Sequence, residues 1–120
     1  MMARILIVDD HVGFVETLSR TIKDLGHCPI GVFGGCEAIR AVTKKRPDLI
    51  LLDYMMPKLN GIETLSRIRS LPEGKTIPIV IISAITGETL KKRTLAAGGN
   101  KTLQKPIDTE TIKNIFTEFL

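Results

Sequence analysis

Five residues of this chain could carry chemistry together: the paired acids Asp9-Asp10, the single Asp53, the hydroxyl of Ser83 and the ammonium of Lys105. Each closes a short run. Asp9-Asp10 follow Ile5-Leu6-Ile7-Val8, and Asp53 follows Leu49-Ile50-Leu51-Leu52. Ser83-Ala84 follow Ile79-Val80-Ile81-Ile82, and Lys105-Pro106 follow Lys101-Thr102-Leu103-Gln104. Carboxylates held one strand spacing apart, ~4.8 Å, repel one another unless a cation sits among them. A hard divalent ion with oxygen ligands answers that demand. Mg2+ fits best, because one or two carboxylates hold it while it keeps waters and takes oxygens from a phosphate group.

Taken singly, each residue has a plainer role. Asp9 or Asp10 equally suits the N-cap of the first helix, since Asp is a favoured cap. Ser83 suits a turn or cap hydroxyl, and Lys105 a solvated surface charge. Capping does not, however, require a hydroxyl and an ammonium beside three acids, so the constellation as a whole points to one site.

The elements that must position these residues are legible from periodicity. The three continuous aliphatic runs predict strands buried on both faces. Spacings of three and four predict helices that pack on the sheet through Phe14, Leu18, Ile22 and Leu25, through Ile62, Leu65 and Ile68, and through Ile112, Ile115, Phe116, Phe119 and Leu120. Two weaker strands, Pro29-Ile30-Gly31-Val32-Phe33 and Lys101-Thr102-Leu103-Gln104, contain Pro, Gly or polar residues and belong at sheet edges. With right-handed crossovers, the expected architecture is α/β, a doubly wound five-stranded parallel sheet in the order 2-1-3-4-5. Arg46-Pro47-Asp48 ends the second helix, Leu71-Pro72-Glu73-Gly74 leads into the fourth strand, and Thr86-Gly87 and Pro106-Ile107-Asp108 precede the last two helices. In such a sheet all strands end on one edge, and ligands bind there, between strands one and three.

Composition sets the remaining bounds. The 120 residues suit one domain, 1–120, and leave none for an effector; Met1-Met2 directly before the first strand argue that nothing large precedes it. At 43% hydrophobic with no Trp, the core must be Ile, Leu and Val, and disorder is excluded. No apolar run approaches the ~20 residues of a membrane span, and no secretory signal is present. Cys28 and Cys36, without metal-ligand spacing, read as reduced thiols of a cytoplasmic protein, and His27 as a turn residue. The net charge of +4 gathers locally: Lys91, Lys92, Arg93, Lys101 and Lys105 lie in a stretch without an acid. That suits an acidic protein partner better than nucleic acid, because no helix-turn-helix pattern or aromatic stacking platform accompanies it.

In order and spacing, Ile5 to Asp10, Leu49 to Asp53 with Met55-Met56-Pro57 and Gly61, Ile82-Ser83-Ala84, Ala97-Gly98 and Lys105-Pro106 resemble the receiver domain of bacterial two-component response regulators. The single-domain chemotaxis-regulator type is included, and nearly the whole chain is covered. The resemblance implies a flavodoxin-like (βα)5 fold. It implies that Asp53 accepts a phosphoryl group from a phosphohistidine, the donor being a sensor histidine kinase or a histidine phosphotransfer protein. It also implies that Asp10, Asp53 and the Met55 carbonyl hold Mg2+, with Asp9 acting directly or through water. Lys105 would pair with one phosphoryl oxygen and Ser83 donate to another, small Ala84 would keep the approach open, and the Lys105-Pro106 bond would be cis. The output would be a changed surface of the fourth helix, fifth strand and fifth helix for a protein target or a phosphorylation-dependent homodimer, and the domain would not be a turnover enzyme.

Four positions stand apart from the family pattern. Thr102 stands where receivers commonly carry a Tyr or Phe that moves inward on activation. Tyr54 is bulkier than the usual aliphatic and suits packing. Met55 and Ile85, at the two positions that tune hydrolysis in the family, are apolar and cannot orient a water, which predicts a long-lived phosphoryl group. Two rival readings are a degenerate receiver that only docks, which would have lost Asp53, Asp10 or Lys105, and a phosphatase of aspartyl-nucleophile type. The latter would carry a second acid where Met55 stands.

Overall fold

The three aliphatic runs become the centre of the sheet. In the computed structural model, which describes residues 2–85 and 87–120, β1 (Arg4–Val8), β3 (Leu49–Asp53) and β4 (Ile79–Ser83) are buried along nearly their whole length. β2 (Cys28–Val32) and β5 (Lys101–Gln104) are only half-buried and form the edges, where Pro29 costs no central ladder bond. All pairings are parallel, and the order is β2-β1-β3-β4-β5. Helices α1 (Val12–Asp24), α2 (Gly35–Lys45), α3 (Gly61–Ser70), α4 (Glu88–Ala96) and α5 (Thr109–Phe119) alternate with the strands. The fold is thus the expected flavodoxin-like one. Thr86, half of the turn expected before the fourth helix, and Met1 of the expected N-terminus lie outside the described residues; Gly87 is the N-cap of α4.

Strand pleating splits the core into two layers. Ile5, Ile7, Leu49, Leu51, Val80 and Ile82 face Val15, Leu18 and Ile22 of α1 and Ile112, Ile115 and Phe116 of α5. Leu6, Val8, Ile50, Leu52, Ile79 and Ile81 face Ala38 and Val42 of α2 and Leu65 and Ile68 of α3. The outermost members of the expected helical faces, Leu25 and Leu120, fall just beyond α1 and α5 as their C-caps.

The helix starts show which acids cap and which do not. Asn60 and Glu63 form a reciprocal capping box on α3, and Asp108 accepts from Thr111 N to cap α5. At α1 the N-cap is His11, with no side-chain cap bond. Neither Asp9 nor Asp10 is therefore the N-cap that its sequence position also suited, although Asp9 Oδ1 accepts the His11 N–H at 2.9 Å. Arg46 ends α2 in a left-handed conformation, φ 48°, before Pro47 turns the chain into β3. His27 does more than occupy a turn: its Nδ1 accepts the Ala3 N–H at 2.9 Å and its ring meets Phe116 edge-on at 4.8 Å, joining the β1 start to α5.

Candidate functional site

The sheet register carries the chemistry-bearing residues to one edge. Val8 pairs with Leu52, Asp53 with Ile82, and Ser83 with Gln104, so Asp9, Asp53, Ser83 and Lys105 all fall within one residue of the β1, β3, β4 and β5 ends. The ladders run on by one step, through Asp9 N to Val32 O, Tyr54 N to Ile82 O and Lys105 N to Ser83 O, and hold these positions to the sheet. Pleating then sorts the side chains. Asp53 continues the α1/α5 face of Leu49 and Leu51, and Ser83 the α2/α3 face of Ile79 and Ile81.

Lys105 ties the acids together. Its Nζ donates to Asp9 Oδ2 at 2.7 Å and lies 3.4 Å from Asp53 Oδ1, while standing 4.3 Å from the centroid of the Phe14 ring. Asp9 is 1% exposed and Asp53 5%, whereas Asp10 and the Met55 side chain face solvent. Burial, followed by the charge of Asp9, pushes Asp53 up from 3.8 to about 6, and Lys105 offsets only part of that rise. Burial lowers Lys105, but its bond to Asp9 and the Asp53 and Asp9 charges outweigh this and leave it raised. The pocket therefore holds more negative charge than its one lysine neutralises.

Ser83 is 1% exposed, and its Oγ accepts the Ile85 N–H at 3.0 Å, which leaves the hydroxyl proton available as a donor. The loop after β3 is held by close approach: Gly61 N donates to Tyr54 O at 2.7 Å, and a Cβ on Gly61 would lie 2.5 Å from Asp53 O. The Lys105-Pro106 bond is cis.

Sequence reading missed His11. One ligand atom each of Asp9, Asp10 and His11 lie within 4.8 Å of one another. The only signal was adjacency to the acid pair. The basic stretch also divides: Lys105 turns into the site, Lys101 pairs with Glu118 of α5 at 3.0 Å, and Lys91, Lys92 and Arg93 remain exposed on α4. Arg93 reaches the Tyr54 hydroxyl at 3.5 Å, and Thr102 lines a cleft of about 230 Å³ between α4 and β5.

Residues 5–117 match the family model of the response regulator receiver domain. The chain belongs to that family. It is 32% identical to protein PilH of Pseudomonas aeruginosa over 92% of both chains. It is 34% identical to response regulator MprA of Mycobacterium bovis, but spans only 48% of that protein's length. Among solved structures, chemotaxis protein CheY4 of Vibrio cholerae superposes with a TM-score of 0.95 at 30% identity, each chain fully covered. The receiver domain of a Pseudomonas aeruginosa sensor histidine kinase, solved with a magnesium ion coordinated in its active-site cleft, gives 0.90 at 27% identity, covering 99% of this chain and 98% of that one. This receiver domain thus has the fold and family that its motifs suggested. Among its described residues no helix is long and apolar enough to cross a membrane.

Proposed function

We propose that Asp53 accepts a phosphoryl group from the phosphohistidine of a sensor histidine kinase or histidine phosphotransfer protein, and that the modified domain signals by changing what binds its surface. The observation that carries this is the buried Asp53 beside Asp9, whose carboxyl is pushed up to about 6 while a lysine stands only 3.4 Å away. A site so short of positive charge suits a carboxylate that works with a cation. The donor set fits Mg2+: Asp10, Asp53 and the Met55 carbonyl offer hard oxygens, and Asp9 offers another directly or through water. Bound there, Mg2+ would supply charge to neutralise the oxygens of the phosphoryl group in transit.

The chain's own residues supply the rest. An Asp53 oxygen forms the new P–O bond as the P–N bond of the donor breaks and its imidazole departs. Lys105 shifts from Asp53 toward a phosphoryl oxygen while keeping Asp9, so its charge is never stranded. Ser83 donates its hydroxyl proton to a second oxygen. Small Ala84 leaves the approach open.

The product is one modified molecule per donor rather than turnover. A phosphatase of aspartyl-nucleophile type would want a second acid where exposed Met55 stands, and a module that only docks has no need of Asp53, Asp10 and Lys105 together. The output surface is α4, β5 and α5, where Lys91, Lys92 and Arg93 favour an acidic protein partner or a second phosphorylated copy. Two free cysteines suit a cytoplasmic setting.

The test is incubation with acetyl phosphate and Mg2+ followed by intact mass. A gain of one phosphoryl group that disappears in Asp53→Asn is expected. No gain in the unaltered chain, or an undiminished gain in Asp53→Asn, overturns the assignment.

A further inference from the structure

We propose that His11 extends the acidic pocket into a site for a d-block divalent cation such as Zn2+, with its imidazole as nitrogen ligand and the carboxylates of Asp10 and Asp9 as oxygen ligands. The inference rests on the reading of this pocket as a cation site and concerns which cations it takes. His11 is the N-cap of α1, and its N–H donates to Asp9 Oδ1 at 2.9 Å, which fixes its backbone beside the acids. The ligand atoms of Asp9, Asp10 and His11 fall within 4.8 Å of one another. Around a tetrahedral ion with bonds of about 2.1 Å, ligand atoms lie about 3.4 Å apart. Asp10 and His11 are both exposed, so rotamer changes of these two side chains close the remaining gap while Asp9 stays in place.

The donor atoms are available. Each Asp9 oxygen accepts one hydrogen bond, from His11 N or from Lys105 Nζ, and keeps a further lone pair. Asp10 and the His11 ring accept none among the described hydrogen bonds. Chemistry then separates the ions. Mg2+ prefers hard oxygen and gains little from an imidazole, whereas Zn2+, Co2+ and Ni2+ bind imidazole well. His11 therefore selects for the d-block ion without adding to Mg2+ affinity. Because Asp10 and Asp9 serve both ions, the two compete for the same carboxylates, and the metal supply would set how much of the protein is ready for Mg2+.

The test is calorimetric titration of the full chain with Zn2+ and, separately, Mg2+, in a Cys36→Ser background, because the exposed Cys36 thiol is itself a zinc ligand. Removing a second-sphere partner of a metal commonly costs about tenfold in affinity, so losing the ring itself in His11→Ala should cost at least about that for Zn2+. Mg2+ affinity should hold within about twofold, as expected for a ligand that oxygen-seeking ions ignore. The ring 15N resonances of His11 should move with Zn2+ and not with Mg2+, while those of His27, whose Nδ1 is held by Ala3, serve as the internal reference. A Zn2+ loss below about fivefold, unmoved His11 resonances, or an equal loss for Mg2+ overturns the inference. If Mg2+ binds normally and Zn2+ ignores His11, this inference alone fails. If neither ion binds the unaltered pocket, the cation-site reading fails with it.

Discussion

Replacing Asp53 with Asn should make the protein more stable, although it removes the residue on which the proposed function turns. The carboxyl sits at about 6 in the folded protein against 3.8 for an ordinary aspartate, the first cause being burial and the second the charge of Asp9. At about 1.4 kcal/mol per pH unit, that difference means the ionised group opposes folding by roughly 3 kcal/mol near neutrality. The folded state holds the proton more tightly than the unfolded state does. Stability should therefore rise as pH falls from about 6 toward 4, and the penalty should be fully present above about 6. Asn keeps the shape and removes the charge, and Lys105 retains its 2.7 Å bond to Asp9. Allowing for the lost 3.4 Å contact with Lys105, a gain of about 2 kcal/mol is expected, or roughly 8 °C in Tm for a domain of this size. Urea unfolding and thermal melts at pH 7.5 and pH 5, without divalent cation, measure both variants. The difference between the two proteins is diagnostic: large at pH 7.5 and shrinking at pH 5. An Asp53→Asn protein no more stable than its parent at pH 7.5, or a difference independent of pH, would refute the reasoning.

Three other predictions concern the site and its supports. Met55 and Ile85 are 59% and 58% exposed at the rim and lack groups to orient water; a Met55→Asn variant should lose its phosphoryl group faster, and a half-life equal to or longer than the parent's counts against the rim's role. Gly61→Ala forces a Cβ against Asp53 O and Tyr54 Cα, at 2.5 and 2.8 Å, where backbone rather than a flexible side chain must yield. It should cost about 2 kcal/mol and slow labelling by acetyl phosphate, and a stable, normally labelled variant would show that the α3 start does not position the acceptor. Arg69 donates to Gly74 O, Ile77 O, Gly98 O and Asn100 Oδ1, pinning the turn before β4 and the turn before β5. Arg69→Ala should lower urea stability by about 3 kcal/mol, and a loss under about 1 kcal/mol would mean that water replaces these bonds freely.

The central strands were legible because a strand buried on both faces must be aliphatic throughout, and Ile5 to Val8, Leu49 to Leu52 and Ile79 to Ile82 admit no other economical placement. β2 and β5 were weaker in sequence for the reason that makes them edges: Pro29, Gly31 and Gln104 are tolerated where one side of the strand has no partner. The gathering of Asp9, Asp53, Ser83 and Lys105 at one sheet edge was legible because parallel strands end together, which converts distant positions into neighbours. Which acid Lys105 would hold was harder, since Asp9 and Asp10 are adjacent and only the path of the chain leaving β1 separates them. The structure gives the buried contact to Asp9 and leaves Asp10 facing solvent. The His27 pin and the Arg69 clamp were not legible, because each is a side chain that bridges separate segments and such reach leaves no periodic trace; His11 showed only through its adjacency to Asp9-Asp10.

The pocket's cost to the fold and its capacity for cations are the same quantity seen from two sides. The charge that makes Asp53 unfavourable in the folded protein is the charge that a cation would meet, so proton and cation should compete for it. Below about 6 the proton holds Asp53 and a cation gains less; above it the carboxylate is free. Mg2+ should therefore raise Tm more at pH 7.5 than at pH 5. At ten times its dissociation constant it should add about 1.4 kcal/mol, by the logarithmic law for a ligand that binds only the folded state. In Asp53→Asn the gain should shrink, because an amide oxygen is a poorer partner for a hard ion than a carboxylate, and it should lose its pH dependence through position 53, because the competing proton is absent. Thermal melts across a Mg2+ series at both pH values test this directly. A Mg2+ effect that is equal at the two pH values, or equal in parent and Asp53→Asn, would mean that the ion binds away from Asp53, and the link between the pocket's charge crowding and its chemistry would fall.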